Sequence, residues 1–549
     1  MRFPSLALLL TQAKVVLRRF PWTLAAGVFA AVAAIIASLP GDGGDWPRVT
    51  AVALLALPVT ISLTLLGEAR DWSRAKRTTA ILLGLLALVA FYLAWPGLDR
   101  RHDALRYFQL SAGLHLAVSF LPFLGIPESG GFWQYNRRLF LGFLRAAIFS
   151  NVLFIGVAIA LGALDKLFGV DIGETYIRVW FIVAFVVNTW IFLAAVPEDL
   201  AALEQDREYP RALKVFAQYI LTPLVFTYLV ILLAYLVKIV AGGEWPSGWI
   251  GWLVGSVSVT GLLGFLLVHP LRADPGEGWI RTYSRWLFVG LIPAALMLLV
   301  AFWKRIMPYG LTEPRMLGLV LGIWLLGLAI LYTLRSSTGI RIIPVTLSAI
   351  LLATLYGPWS LTSVSVSSQG RRLAETLQGG DGKVADAREA SGALRFLIDH
   401  RADREIAMRI GRDLPPIDWA AMTRWGGERD SLGREIMQLV GVKYVPYSRY
   451  QSDGYYSISS QQPLAVDGFD WAVTVATGDA ATHVLGGDTV RIVSEPRGGT
   501  VARFRVGSDT LDFDLGPLAA WADTTGGNGG SAPPERVRIA GPEGARRSA

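Results

Sequence analysis

Eleven apolar runs, separated by short polar breaks, succeed one another between Trp22 and Pro358. A helix rises about 1.5 Å per residue and the hydrocarbon core of a bilayer is about 30 Å thick, so about 20 apolar residues make one crossing. The runs predict spans at 22–39, 48–67, 78–95, 105–124, 139–163, 177–196, 216–240, 250–269, 286–303, 316–334 and 342–358. The stretch at 139–163 is longer than a crossing needs and is expected to tilt. Ahead of the first span, residues 1–21 mix apolar positions with Lys14, Arg18 and Arg19, the pattern of an amphipathic interfacial segment. That span ends at Leu39-Pro40-Gly41 with no A-x-A motif, so it reads as a retained anchor. The expected fold class is a polytopic all-α membrane protein of about 11 transmembrane helices over 22–360.

After Trp359 the pattern changes. Leu361–Gln369 alternates Val364 and Val366 with serines, as a strand does. Residues 386–411 have helical spacing through Leu394, Leu397, Ile398, Ile406 and Ile410, and a second short helix fits Leu432–Val440. Strand-like runs follow at 455–460, 469–477, 489–494, 501–506 and 510–513, punctuated by Gly, Asp and Pro. Together these predict a C-terminal extramembrane α+β domain over 361–522. The tail, 523–549, is rich in Gly, Pro and Arg with little apolar pattern, and is expected to be disordered.

Composition supports a membrane protein. The 549 residues are 53% hydrophobic and 17% charged, where a soluble domain carries about 25%. The net charge of +8 is uneven, +10 over 1–360 and −2 beyond. The basic excess therefore belongs to loops that flank the bilayer. The partner it implies is the lipid bilayer, and nucleic acid is not expected. With the N-terminus inside, inner segments hold 18 Lys/Arg and outer segments 10. This bias predicts a multi-pass membrane protein with a cytoplasmic N-terminus and an extracytoplasmic C-terminal domain.

The chain has no cysteine, which excludes disulfides, iron–sulfur clusters and thiolate chemistry. No H-E-x-x-H, G-x-S-x-G or Walker lysine loop is present, so no catalytic residue, metal or cofactor is expected. No Asp or Glu falls within a predicted span, which argues against a carrier that couples transport to a midplane carboxylate. The ionisable groups that lie well inside the spans, away from their ends, are His115, flanked at i−4 and i+4 by Ser111 and Ser119, and Arg145. Asn151, Asn188, Tyr228, Tyr235 and Lys238 add polar groups to the fifth to seventh spans. Polar groups are costly in lipid, so these seven residues form a candidate ligand-binding set for a small anion or lipid headgroup. The plainer alternative is hydrogen bonding between helices, with Arg145 and Lys238 snorkelling to the interface. His400, near Asp399 and Asp403, reads as a surface cluster with no catalytic or metal role.

Several stretches are more specific than the pattern. FWQYNRRLFLGFLRAAIFSNVLFIGVAIALGALDKLFGVDIGE (132–174), VNTWIFLAAVP (187–197), EWPSGW (244–249), WIRTYSRWLFVGLIPAALMLLVAFWKRIMPYGLTEPR (279–315) and YGPWSLTSVSVSSQ (356–369) resemble a bacterial multi-pass membrane family catalogued as domain of unknown function 4153. FLIDHR (396–401) and VGVKY (440–444) extend the likeness past the last span. The resemblance implies a polytopic inner-membrane protein and carries no assigned catalytic residue. The leading expectation is a carrier or a lipid- or anion-handling protein with a polar pocket among spans four to seven. The alternative is an envelope sensor or assembly factor that acts on an envelope protein partner through its C-terminal domain.

Overall fold

The computed structural model describes residues 14–40, 44–128, 130–169, 172–206, 208–242, 249–273, 276–335, 338–378, 386–417, 419, 427–445, 481–485, 488–493, 501–506, 509–514 and 539–540. The chain forms two compact units, Met1–Tyr444 and Val445–Ala549.

Among the described residues, the first unit is all helix. Its membrane part comprises α1 (Pro21–Ala37), α2 (Trp46–Ala69), α3 (Arg74–Ala94), α4 (Arg101–Phe120), α5 (Gly130–Phe168), α6 (Thr175–Leu193), α7 (Arg211–Gly242), α8 (Trp249–Val268), α9 (Gly278–Tyr309), α10 (Glu313–Leu334) and α11 (Ile342–Ala353). Among the described residues, eight of these (α2, α3 and α5–α10) are long and apolar enough to cross a bilayer, fewer than the 11 expected. Three expected spans fall short for separate reasons. Helix α1 has 17 residues and α11 has 12. Helix α4 opens on Arg101, His102 and Asp103 and carries Arg106, Gln109 and His115, which dilute its apolar content. The chain is a multi-pass helical membrane protein on the eight alone.

Helix starts follow local chemistry. Proline occupies the first turn of α1, α2 and α10, where the missing N–H has no intrahelical acceptor to lose. The Ser73 hydroxyl accepts from the Lys76 N–H at the start of α3. Two helices are interrupted by five-residue π-helical segments, Val183–Val187 in α6 and Ala217–Leu221 in α7. The first sits against Gly27 of α1. A Cβ on Gly27 would stand 2.5 Å from the Phe185 carbonyl oxygen, so only glycine permits that approach.

Polar contacts tie the helix ends into two groups. Arg19 pairs with Glu68 at 2.8 Å and donates to the Val196 carbonyl at 3.0 Å. Arg137 donates to the Glu208 carbonyl at 2.8 Å, and Arg341 to the Phe123 carbonyl at 2.6 Å. At the alternate loops, Arg178 reaches Ser38 at 3.3 Å, and Trp95 donates to the Asp103 carbonyl at 3.0 Å across the α3–α4 loop.

Beyond the short turn after α11 lie α12 (Leu361–Gln378), α13 (Ala387–Asp399), α14 (Asp403–Ile410) and α15 (Gly427–Leu439). They share a core of Leu373, Leu394, Leu397, Ile406 and Ile436. Asp386 caps α13 by accepting from the Arg388 and Glu389 amides. The strand expected at 361–369 is thus a helix. Its buried face is Leu361, Ser365, Gln369 and Leu373, an i, i+4 series in which two members are polar and so escape a reading by hydrophobicity. The helix expected at 386–411 is two helices, with a break at His400–Ala402 where Arg401 adopts a positive φ of 51°.

The second unit contains a five-stranded antiparallel sheet in the order β1-β2-β3-β4-β5, with β1 (Ala481–Leu485), β2 (Asp488–Val493), β3 (Val501–Val506), β4 (Asp509–Asp514) and β5 (Ile539–Ala540). The helices of 361–439 and these strands fall in different compact units, so they do not make the single α+β domain expected over 361–522. The expected strands at 455–460 and 469–477 lie outside the described residues. Within the tail expected to be disordered, Ile539–Ala540 pairs with β4. An open strand edge offers backbone donors and acceptors whatever the tail's composition.

Candidate functional site

Among the described residues, no hydrogen bond or ion pair joins any two of the seven candidates from the sequence. His115 is exposed on α4, with Nδ1 2.8 Å from the Ser111 carbonyl oxygen of its own helix. Arg145 and Asn151 are exposed on α5, and Asn151 donates to the Ala147 carbonyl at 2.8 Å. Asn188 is half-buried at the end of the π segment of α6. Tyr228 and Lys238 are exposed on α7, and Tyr235 is half-buried there. Most of these groups lie on outward faces, and the hydrogen bonds of His115 and Asn151 stay within their own helices.

The polar convergence lies elsewhere, where α12–α15 meet the ends of α4, α9, α10 and α11. Helix α12 grips the turn between α9 and α10. Gln369 Nε2 donates to the carbonyls of Tyr309 (3.1 Å) and Leu311 (2.9 Å), and Ser368 Oγ accepts from the Leu311 amide at 3.0 Å. Gly310, with φ +66°, makes that turn possible. Arg106 of α4 donates to Thr362 Oγ1 at 3.1 Å and lies over the Tyr356 ring.

At the centre is a buried pair. His400, the C-cap of α13, places Nε2 2.5 Å from Glu313 Oε1 in the first turn of α10, and both side chains are 6% exposed. His400 Nδ1 lies 2.6 Å from the Phe396 carbonyl oxygen. A carbonyl only accepts, so Nδ1 carries hydrogen, and the contact with Glu313 then needs a second proton between nitrogen and oxygen. The pair is either imidazolium–carboxylate or imidazole–carboxylic acid, and in both forms it holds one shared proton. The ring is sandwiched by Phe396 (4.0 Å) and by His102 of α4 (4.1 Å).

Neighbouring groups are perturbed by burial. Burial first, and then the charges of His400, Arg106 and Arg100, push His102 down to about 3, so it is neutral at ordinary pH. Its contact with Asp103, Nε2 to Oδ2 at 3.3 Å, is then dipolar. Burial raises Asp103 and Asp399 above the usual carboxylate range, against the pull of Arg106 and Arg429. Beside this core opens a polar cleft of about 390 Å³, lined by Asp99, Arg100 and Asp103 from the start of α4 and by Asp399, Arg401 and Arg429 from the C-terminal helices.

Spacing along the chain does not reveal this site, because its members come from segments up to about 300 residues apart. The one signal in the sequence is the presence of two polar helix ends, Arg100-Arg101-His102-Asp103 and Asp399-His400-Arg401, each beside an apolar run. The expectation that His400 belongs to a surface cluster is corrected: its side chain is more than nine-tenths buried, because α13 ends against the first turn of α10.

The chain belongs to the family described as domain of unknown function DUF4153, whose profile matches residues 23–388. That match includes Glu313, His102 and α12, and ends just inside α13. The chain is 26% identical over 280 residues to an uncharacterised protein of Pasteurella multocida (strain Pm70), covering 49% of this chain and 45% of that protein. It is 28% identical over 231 residues to an NADH-quinone oxidoreductase component of Geobacillus thermodenitrificans (strain NG80-2), covering 38% of this chain and 66% of that component. The chain thus spans less than two thirds of the length of either relative. No solved structure matches it.

Proposed function

We propose that this protein is a sensor or assembly factor of the bacterial inner membrane, in which the helical layer α12–α15 relays the state of the junction to the membrane helices. The observation that carries the reading is the buried, one-proton contact between His400 and Glu313, which fastens the layer to α10. No flexible linker intervenes between α11 and α12. Trp359 Nε1 donates to the Ala353 carbonyl at 2.7 Å, so the turn between them folds back on itself. A rigid joint transmits displacement and a slack one absorbs it.

The relay puts α12–α15 on the extracytoplasmic side and takes all eleven membrane helices as crossings. It is supported by the two groups of helix-end contacts. Arg-rich loops meet at one end, and the loops at 38–46, 95–103, 309–313 and 354–361 alternate with them along the chain. Arg145, Asn151, Tyr228 and Lys238 lie on exposed faces, which lends the carrier reading less support than the buried junction lends the relay.

The test is hydrogen exchange on the full-length protein in lipid nanodiscs, comparing the native chain with Glu313→Ala. A relay requires that loosening the pair also loosen the first turns of α4 and α10. Faster exchange confined to α13 would defeat the reading. Thiol labelling of single cysteines at Asn151 and Tyr228 with a water-soluble reagent tests the carrier: labelling of both would revive it.

A further inference from the structure

We propose that the cleft beside Arg100 and Arg401 binds a small molecule bearing a phosphate or carboxylate oxyanion together with a hydrogen-bond donor. This rests on the relay reading and deepens it by naming the class of ligand the junction responds to.

The charges facing the cleft are unequally partnered. Asp399 is taken by Arg429 at 2.7 Å, and Asp103 Oδ1 by Arg106 at 3.3 Å. Arg100 has no carboxylate within ion-pair distance among the described residues. Arg401 donates to the Trp419 carbonyl at 3.0 Å and lies over the Trp419 ring, and among the described residues it too lacks a carboxylate partner. Burial and then the nearby charge of Arg401 both weaken the protonated form of Arg100, so the two cations are close enough to repel. A planar fork with five donors suits a bidentate oxyanion, and an oxyanion set against two such forks relieves their repulsion.

Other observations bear on the cleft. Arg401 presents its guanidinium there from the left-handed residue that closes the end of α13, with φ 51° and the Ala402 amide donating to the Leu397 carbonyl at 3.0 Å. The cleft opens at the N-terminus of α4, a 20-residue helix whose dipole favours negative charge there. The Asp103 side chain is 3% exposed, and the one polar group near its Oδ2 among the described residues is His102 Nε2 at 3.3 Å, outside good hydrogen-bond geometry. That contact leaves acceptor capacity on the oxygen, which a ligand hydroxyl or ammonium would fill. At about 390 Å³ the space suits a compact metabolite or a lipid headgroup, but no acyl chain.

The test uses purified full-length protein in phosphatidylcholine nanodiscs, titrated calorimetrically with inorganic phosphate and with malate. A second set of discs contains phosphatidylglycerol. Saturable binding of phosphate or malate is expected, weakened about tenfold or more by Arg100→Gln and by Arg401→Gln, and unchanged by Arg412→Gln at an exposed position. If phosphatidylglycerol blocks both solutes through the same arginines, the oxyanion is a headgroup; if it does not, the ligand is a free solute. Arg401→Gly separates binding from folding, because glycine accepts the positive φ. It should keep the unfolding midpoint and lose the ligand. Failure of all three probes to bind, or wild-type affinity in the Arg100 and Arg401 variants, would overturn the proposal. Binding that leaves exchange at α4 and α10 unchanged would instead sink the relay and spare the site.

Discussion

Replacing Glu313 by alanine removes one half of a contact from which water is excluded. His400 cannot turn away, because its ring lies between Phe396 and His102 and its Nδ1 is committed to the Phe396 carbonyl. Breaking a buried ion pair from one side costs about 3–5 kcal/mol, and orphaning a neutral buried polar atom costs about 1–3 kcal/mol. The expected cost lies where the two ranges meet, about 3 kcal/mol. At tenfold per about 1.4 kcal/mol, that raises local opening on the order of 100-fold. Glu313→Gln keeps a neutral hydrogen bond to Nε2 and should cost only about 1 kcal/mol, roughly fivefold. The assay is amide hydrogen exchange of 387–399 and of the first turn of α10. An alanine effect below about threefold would refute the reasoning, since it would mean the pair carries no docking energy. Equal effects of alanine and glutamine would show that charge, and not the hydrogen bond, holds the layer.

His102 has its folded-state value depressed to about 3 from an ordinary 6.5, so its contribution to stability is present above 6.5 and is lost as pH falls toward 3; the detergent unfolding midpoint should drop between about pH 7 and about pH 4, and less so in His102→Gln. Asp103 and Asp399, raised by burial, act in the opposite sense, which is why the comparison with His102→Gln rather than the raw pH profile is the readout. Gly27→Leu should cost about 1–3 kcal/mol by forcing α1 off the Phe185 carbonyl, seen as a lower midpoint; an unchanged midpoint would show that α1 is free to shift. Gln369→Ala orphans the Tyr309 and Leu311 carbonyls and should speed proteolysis at the 309–312 turn, whereas Arg412→Ala should not.

The membrane part is legible in the sequence because lipid imposes a simple rule: long apolar runs must be helices. The same rule misjudges the ends. Helix α4 reads as a span from Leu105 onward, yet its polar first turn, His102 and Asp103, is what the C-terminal helices pack upon. Alternation at Val364 and Val366 suggests a strand, because the residues that make the buried face of α12 include Ser365 and Gln369, and a polar residue held by its hydrogen bonds is silent in a hydropathy reading. The polar stripe of Ser111, His115 and Ser119 is legible as a stripe, but nothing in a single helix tells which way its stripe faces. The His400–Glu313 pair depends on tertiary placement across 87 residues, which spacing alone does not encode.

The relay stands or falls on the docking of α12 against the turn between α9 and α10. The chain has no native cysteine, so Leu311→Cys with Ser368→Cys gives one thiol pair at a point where the Leu311 amide and Ser368 hydroxyl are 3.0 Å apart. Treatment of native membranes with a short bifunctional thiol reagent should bridge the pair rapidly and almost completely. Bridging no faster than in a Leu311→Cys, Arg412→Cys control would contradict the docking, and with it the relay.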